Sequence, residues 1–466
     1  MSNTAQVLAP IPASMTQQIS SRSWALSRSL EECAEFPTNL ITKTPGMNAE
    51  ALHRYKKRLE AAEAKLFVLS EDGVEVTIHD QDARVVERRN IHSEAKLKMH
   101  LGIYRYIWAP QSRTPLLILK SMLTKILTYQ QIMPEFVDFL ASFGLQSNPQ
   151  EVRFSGFRRQ ITLKVPTATT LGALGRSDQQ YQMTYNLKGV TMSHNLRKAE
   201  LWSIRTAVLW HRYDVHTNRA SWIVVKDGRD LLERYKEMVG PQGRPEDRAF
   251  VSDDECFGSS LSPHLLFCRW STEDWGGYIR WMEEEVDNEA LKAVYGPPED
   301  GHTPGIHRAS DIRRLQIWEE RANEAVVVLE GNLDVISSLR QFYQDLAQND
   351  RFPRLSCGGE IADFVSQLDA MISELKHGIL RSNAVSKTTA DRKELIIQYR
   401  ANESEERMHR LNKNMEEETV VVRIITIVTL IYLPATFVST FFSTDIIKYQ
   451  DEGFPGGKYS ETAMHR

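Results

Sequence analysis

Cysteine is scarce in this chain and never paired at close spacing: Cys33, Cys256, Cys268 and Cys357 lie far apart, with no Cys-x-x-Cys among them. A structural zinc site and a disulfide framework both need clustered thiols, so reduced structural thiols are expected instead. Neither sign of charge dominates, since 57 Lys and Arg face 61 Asp and Glu for a net charge of -4. Without a basic field, nucleic acid is not an expected partner. The catalytic signatures that can be read locally are missing as well: there is no Walker loop, no Gly-rich dinucleotide turn, no His-Glu-x-x-His and no Gly-x-Ser-x-Gly. An enzyme is therefore not expected. Residues 1–30, rich in Ser, Gln, Ala and Pro, hold no apolar core of signal-peptide length. Nothing there would carry the following chain across a membrane, which leaves it in the cytosol.

Long apolar runs are missing everywhere but in one place. Ile424 to Phe442 is a stretch of nineteen mostly apolar residues without a charge. As a helix rising ~1.5 Å per residue it is ~28 Å long, which matches the ~30 Å hydrocarbon layer of a bilayer. The alternative is a helix buried in a soluble core, but such helices are usually shorter and less uniformly apolar. A composition of 41% hydrophobic and 25% charged residues over 466 positions fits a large water-exposed portion carrying one anchor. Arg407, Arg410, Lys413 and Arg423 precede the span closely, against only Lys448 and Lys458 after it. This bias places the N-terminal side in the cytosol and the tail from Ser443 to Arg466 on the far side.

The expected fold class is an α+β membrane protein with a cytosolic α/β domain, a long helical stalk and one C-terminal transmembrane helix. The expected divisions are a disordered leader at 1–50, the α/β domain at 51–300, the stalk at 301–423, the span at 424–442 and an extracytosolic tail at 443–466. Leu66 to Ser70 and Val74 to His79 read as strands around the turn Glu71-Asp72-Gly73, and Gly102 to Trp108 as a third. Leu116 to Tyr129 has helical apolar spacing, continued by Phe136, Phe139 and Leu140 beyond Pro134. Further strands are expected between 160 and 187, then a hairpin of Thr206–Val215 and Arg219–Lys226 turning at His216-Thr217-Asn218. Its aromatics, Trp202, Trp210, Tyr213 and Trp222, suit a sheet face better than a ligand box.

Ser271 with the acidic residues behind it reads as a helix cap, and the Pro/Gly break from Gly296 to Gly305 as a domain boundary. Three helices follow: 308–346, 359–382 around Ile361, Phe364, Leu368, Met371 and Leu375, and one from Thr389 without Pro or Gly before Pro434. Along the last, Leu411, Met415, Val422 and Ile425 form a coiled-coil-like stripe that asks for identical partners.

Within the span, Thr426, Thr429, Leu433, Thr436, Thr440 and Ser443 recur at three- and four-residue steps and share a helical face. Two readings fit a hydroxyl stripe in lipid. It lines a water-filled pore, with Ile425 and Val422 as a hydrophobic constriction, or its hydroxyls bond back to their own helix and glue helices together. Pro434 removes one backbone bond and should kink the helix, which either hinges a gate or only shapes packing. Glu416, Glu417 and Glu418 would concentrate cations at an inner mouth if repeated around an axis. Glu403 with Arg407, Glu406 with Arg410 and Lys413 with Glu417 are, however, spaced i,i+4 like an ordinary solvated face.

The anchor from Arg423 to Asp445 resembles the first transmembrane helix of the CorA-type magnesium transporters, in which a Thr-rich apolar run leads to a mid-helix Pro, then Thr-Phe, then an outer Gly-Met-Asn. Pro434, Thr436 and Phe437 carry that match. Upstream, His100 to Trp108, Tyr129 to Phe136, Arg153 to Arg158 and Trp202 to Arg205 are similar to the fungal CorA-like group, so the resemblance spans about residues 95 to 445. It implies a homo-pentamer in a lipid bilayer. Its first transmembrane helices would line the pore, here through Ile425, Thr429, Leu433, Thr436 and Thr440, with a divalent cation, Mg²⁺ or another, as the transported ion and no cofactor.

Two departures stand out. Ser443, Thr444 and Asp445 occupy the Gly-Met-Asn positions, placing a carboxylate where an amide would meet hydrated Mg²⁺ and changing how the outer filter discriminates. After Phe442 only 24 residues follow, with no second apolar run, so the family's helical hairpin is not closed in this sequence. The expectations are a truncated gene product or a single-pass, tail-anchored scaffold or regulator that does not conduct. A Gly46-Met47-Asn48 in the polar leader has no apolar helix before it and reads as coincidence.

Overall fold

A computed structural model describes residues 25–82, 85–97, 104–109, 114–145, 154–163, 171–174, 176–192, 202–295, 309–443, 447–448 and 458–459. The chain divides into two compact units, residues 1–289 with 315–390, and residues 290–314 with 391–466.

The first unit is built on a seven-stranded sheet: β1 (Val76–Asp82), β2 (Val85–Ile91), β3 (Tyr104–Ala109), β4 (Phe157–Thr162), β5 (Gln180–Met192), β6 (Trp202–Asp214) and β7 (Arg219–Asp227). Their spatial order is β2-β1-β3-β7-β6-β5-β4. Every neighbouring pair is antiparallel except β3 with β7, which run parallel from Tyr104↔Trp222 to Ala109↔Asp227. Parallel pairing requires a long connection, and here the chain leaves β3 through two helices, α2 (Lys120–Gln130) and α3 (Phe136–Leu140), to the far edge strand β4 and returns through β5 and β6 to β7; an earlier helix, α1 (Ala49–Ala61), precedes the sheet.

Both sheet faces are covered, so the central strands are buried along most of their length. Alternation sorts the hairpin's side chains. Val208, Trp210, Ile223 and Val225 join the α2–α3 side of the core with Met122, Leu123, Ile126, Leu127 and Phe136. Their neighbours His211 and Trp222, a cross-strand pair, stack at 4.2 Å between ring centroids on the opposite face. The expected hairpin forms with Asp214 opposite Arg219. Asp214 Oδ1 accepts from the backbone N–H groups of His216 and Thr217 at 3.2 and 3.0 Å, and Asn218 takes the left-handed conformation at φ 52°. Trp210, Tyr213 and Trp222 are core residues, as a sheet face requires.

The other face carries α4 (Asp230–Val239), α5 (Asp253–Thr272), and the first-unit parts of α6 (Trp275–Tyr295), α7 (Ala309–Ala347) and α8 (Arg354–Ser443). Helix α5 begins with a capping box in which Ser252 and Glu255 satisfy each other's backbone N–H. It packs closely because β5 has Gly189 beneath it: a Cβ there would lie 2.9 Å from Trp270. Asn332 of α7 holds β5 like an added strand, accepting from the Lys188 N–H at 2.9 Å and donating to the Lys188 carbonyl at 2.6 Å. Lys188 Nζ is itself buried and donates to the Phe154 carbonyl and Ser155 Oγ at 2.6 and 2.8 Å. Burial pushes its pKa down to about 8.

Several expectations are corrected here. Residues 25–42, expected in a disordered leader, are packed: Leu26 and Phe36 are buried, and Ile41 N–H donates to Gln131 Oε1 at 2.9 Å. Residues 1–24 lie outside the described residues. Leu66 to Ser70 is not a strand of the sheet; only Phe67 bridges Leu116, and β1 pairs instead with β2 and β3. Ser271 does not cap a helix but is buried near the end of α5, donating to the Cys268 carbonyl at 2.8 Å.

The boundary near 300 does not release the helices that follow, because 315–390 belong with the sheet. Ile361, Phe364, Leu368, Met371 and Leu375 are all buried. The two helices expected at 359–382 and from Thr389 are one, because nothing between them breaks α8.

Candidate pore helix

In the second unit, the chain from Asp391 to Ser443 is the continuous C-terminal part of α8. Its apolar window reaches a mean hydropathy of 2.1, and none of that window is buried. Among the described residues Ile424 to Phe442 is exposed along its whole length, whereas a soluble core helix is covered by its own chain, and this favours the span over the core-helix alternative. The coiled-coil-like stripe is uncovered as well, with Leu411, Met415, Val422 and Ile425 all exposed.

At 100° per residue, Ile425, Thr429, Leu433, Thr436, Thr440 and Ser443 fall within an arc of about 80°. Ile427, Leu430, Ile431, Val438 and Phe441 occupy the opposite side of the helix. The span thus has a hydroxyl-bearing stripe and a hydrocarbon back. One helix cannot make a site from a stripe; it provides one wall, and the remaining walls require further helices.

The hydroxyls are not idle in the single chain. Thr426 donates to the Val422 carbonyl at 2.7 Å, Thr429 to Ile425 at 2.6 Å, and Thr436 to Tyr432 and Leu433 at 2.9 and 3.0 Å. Thr440 donates to Thr436 and Phe437, and Ser443 to Thr440 at 3.1 Å. Each such bond consumes the hydroxyl proton while leaving an oxygen lone pair directed away from the helix. The stripe is therefore a row of acceptors, which is the polarity that water-clad cations require.

Pro434 sits inside α8, and the helix continues through it. Its missing N–H frees the Leu430 carbonyl, and the nearest hydroxyl downstream, Thr436, bonds Tyr432 and Leu433 instead. Glu416, Glu417 and Glu418 are exposed on three successive faces of α8. Arg407 pairs with Glu403, and Arg410 with Glu406 at 3.6 Å; Lys413 and Glu417 form no ion pair. Of the outer positions, Ser443 ends the helix, whereas Thr444 and Asp445 lie outside the described residues. Beyond them, Ile447–Lys448 pairs antiparallel with Lys458–Tyr459. Among the described residues no cluster of three or more His, Cys, Asp or Glu is placed to hold a metal.

A family profile described as CorA-like transporters matches residues 28–294, more than half of the chain. The chain belongs to the CorA-like family. Its members are membrane transporters rather than enzymes, and the chain combines a cytosolic domain with one apolar helix long enough to span. The family match ends ahead of α7, so the span itself rests on its own composition and exposure.

Among solved structures, the full-length CmaX protein aligns at 13% identity and a TM-score of 0.37, covering 84% of this chain and 93% of CmaX. The ZntB cytoplasmic domain from Vibrio parahaemolyticus aligns at 8% identity and a TM-score of 0.33, covering 69% of this chain and 98% of that domain. No curated protein matches.

Proposed function

We propose that this CorA-like chain takes part in moving a divalent cation, Mg²⁺ or another, across a bilayer as a homo-pentamer of the fungal CorA-like type. Five copies of α8 would turn Ile425, Thr429, Leu433, Thr436 and Thr440 toward a common axis. Ser443, Thr444 and Asp445 would form the outer filter and Glu416, Glu417 and Glu418 the inner acidic mouth. The carrying observation is the uncovered helix with one acceptor stripe and one hydrocarbon back, in a chain of a transporter family. A filter of carboxylates draws divalent cations strongly, and Mg²⁺ keeps its water shell, so Asp445 would set preference through hydrated ions. Pro434 would act as a bend in the pore wall.

The test is flux. Purified protein in liposomes loaded with a Mg²⁺ indicator should admit Mg²⁺ or a competing divalent ion, whereas a signal equal to empty vesicles refutes conduction. One observation favours a second reading, a single-pass scaffold or regulator that does not conduct: every described hydroxyl of the stripe already has a bond to its own helix. That reading expects membrane insertion and self-association without flux.

A further inference from the structure

The Gly46-Met47-Asn48 triplet borders a cavity that transport does not use. Asn48 caps α1, accepting from the Ala51 N–H at 2.8 Å, and Gly46 supplies the left-handed turn at φ 76° that folds the preceding loop back over the helix. Pro45, Gly46 and Met47 thereby face Ala51, Arg54, Tyr55 and Arg58 across an open cavity of about 320 Å³. The four helix residues follow steps of three and four, so one face of α1 forms the floor. That volume lies at the lower end for small-molecule sites, roughly 300–1,000 Å³.

The two guanidinium groups are held differently. Arg58 Nη1 donates to Asp138 Oδ1 at 2.6 Å and the group lies 5.4 Å from the Tyr55 ring centroid, while Tyr55 Oη donates to Asp138 Oδ2 at 3.2 Å. One carboxylate thus orients Arg58 and leaves most of its donors open. Arg54 has no hydrogen-bond or ion-pair partner among the described residues, and Glu50, one turn before it, does not pair with it. Arg58 is paired with Asp138, and Glu135 lies within electrostatic reach of Tyr55, whereas Arg54 offers an unpaired cationic fork beside the apolar wall of Pro45 and Met47.

We infer that this cavity binds a small phosphomonoester, its phosphate gripped by Arg54 and Arg58 and its body resting on Met47 and Pro45. The experiment is equilibrium dialysis of the full-length protein in detergent against radiolabelled inorganic phosphate. Glucose 6-phosphate and dihexanoyl phosphatidic acid serve as competitors. Saturable uptake is expected, weakened by roughly tenfold or more in Arg54→Gln, the loss of a charge-assisted bond. Arg54 is exposed and partnerless, so the unliganded variant should melt with the wild type. A competitor that displaces phosphate more tightly than phosphate itself identifies a sugar-like or a lipid source for the phosphomonoester. A wild type without saturable uptake at millimolar phosphate, or an Arg54→Gln protein that binds as the wild type does, overturns the inference.

Discussion

His264 stands where β5, β6, α5 and α7 meet. Its Nδ1 lies 2.7 Å from Tyr185 Oη, and its Nε2 lies 3.0 Å from both His211 Nδ1 and Tyr343 Oη. Burial pushes both imidazoles well below the ordinary histidine value, and the Arg212 charge lowers His211 further. The folded protein therefore keeps both rings neutral, whereas the unfolded chain protonates them as pH falls through about 6.5. Stability conferred by the pair is intact above that value and is lost on acidification from about 6.5 toward the depressed folded values. Melting followed from pH 7.5 to 5 should show a falling midpoint, and His264→Gln should flatten that slope; a wild type equally stable at both ends refutes the arrangement. Gly189 offers a second residue-scale prediction. Gly189→Ala drives a methyl against the Trp270 ring and should destabilise the first unit by about 1–3 kcal/mol in a denaturant titration.

At the scale of elements, the β6–β7 hairpin and α8 were readable for opposite reasons. The hairpin announces itself by alternating aromatic and aliphatic residues around His216-Thr217-Asn218, a local signal that the register from Ala207↔Lys226 to Asp214↔Arg219 satisfies. Helix α5 was missed although its capping box, Ser252 with Glu255, lay in the sequence, because its buried residues surround it without a clean stripe. Helix α8 was read as two pieces because its covered part and its bare part differ in pattern, yet the backbone needs no break where surroundings change. For its bare part, Thr429→Val keeps shape and removes the acceptor oxygen. Divalent flux in liposomes should fall several-fold if the stripe faces a shared axis and stay unchanged if it faces lipid. Asp445→Asn should alter the preference between Mg²⁺ and a competing ion, and an unaltered preference removes Asp445 from the filter.

For the whole molecule, the uncovered apolar helix sets the location. Full-length protein expressed in cells should remain with membranes through alkaline carbonate extraction, because an inserted ~28 Å apolar helix is not displaced by charge or pH. Recovery in the carbonate-soluble fraction would remove the span. By itself, the sequence determined the presence, length and stripe of that helix, the cytosolic α/β class and the aromatic hairpin, since each depends on periodicity within one short segment. Only the tertiary structure decided that residues 25–42 are packed, that 315–390 belong with the sheet, and that Lys188 meets Asn332 and Gly189 meets Trp270. Those outcomes rest on contacts between residues far apart in the chain, where burial and close approach select partners that no local pattern specifies.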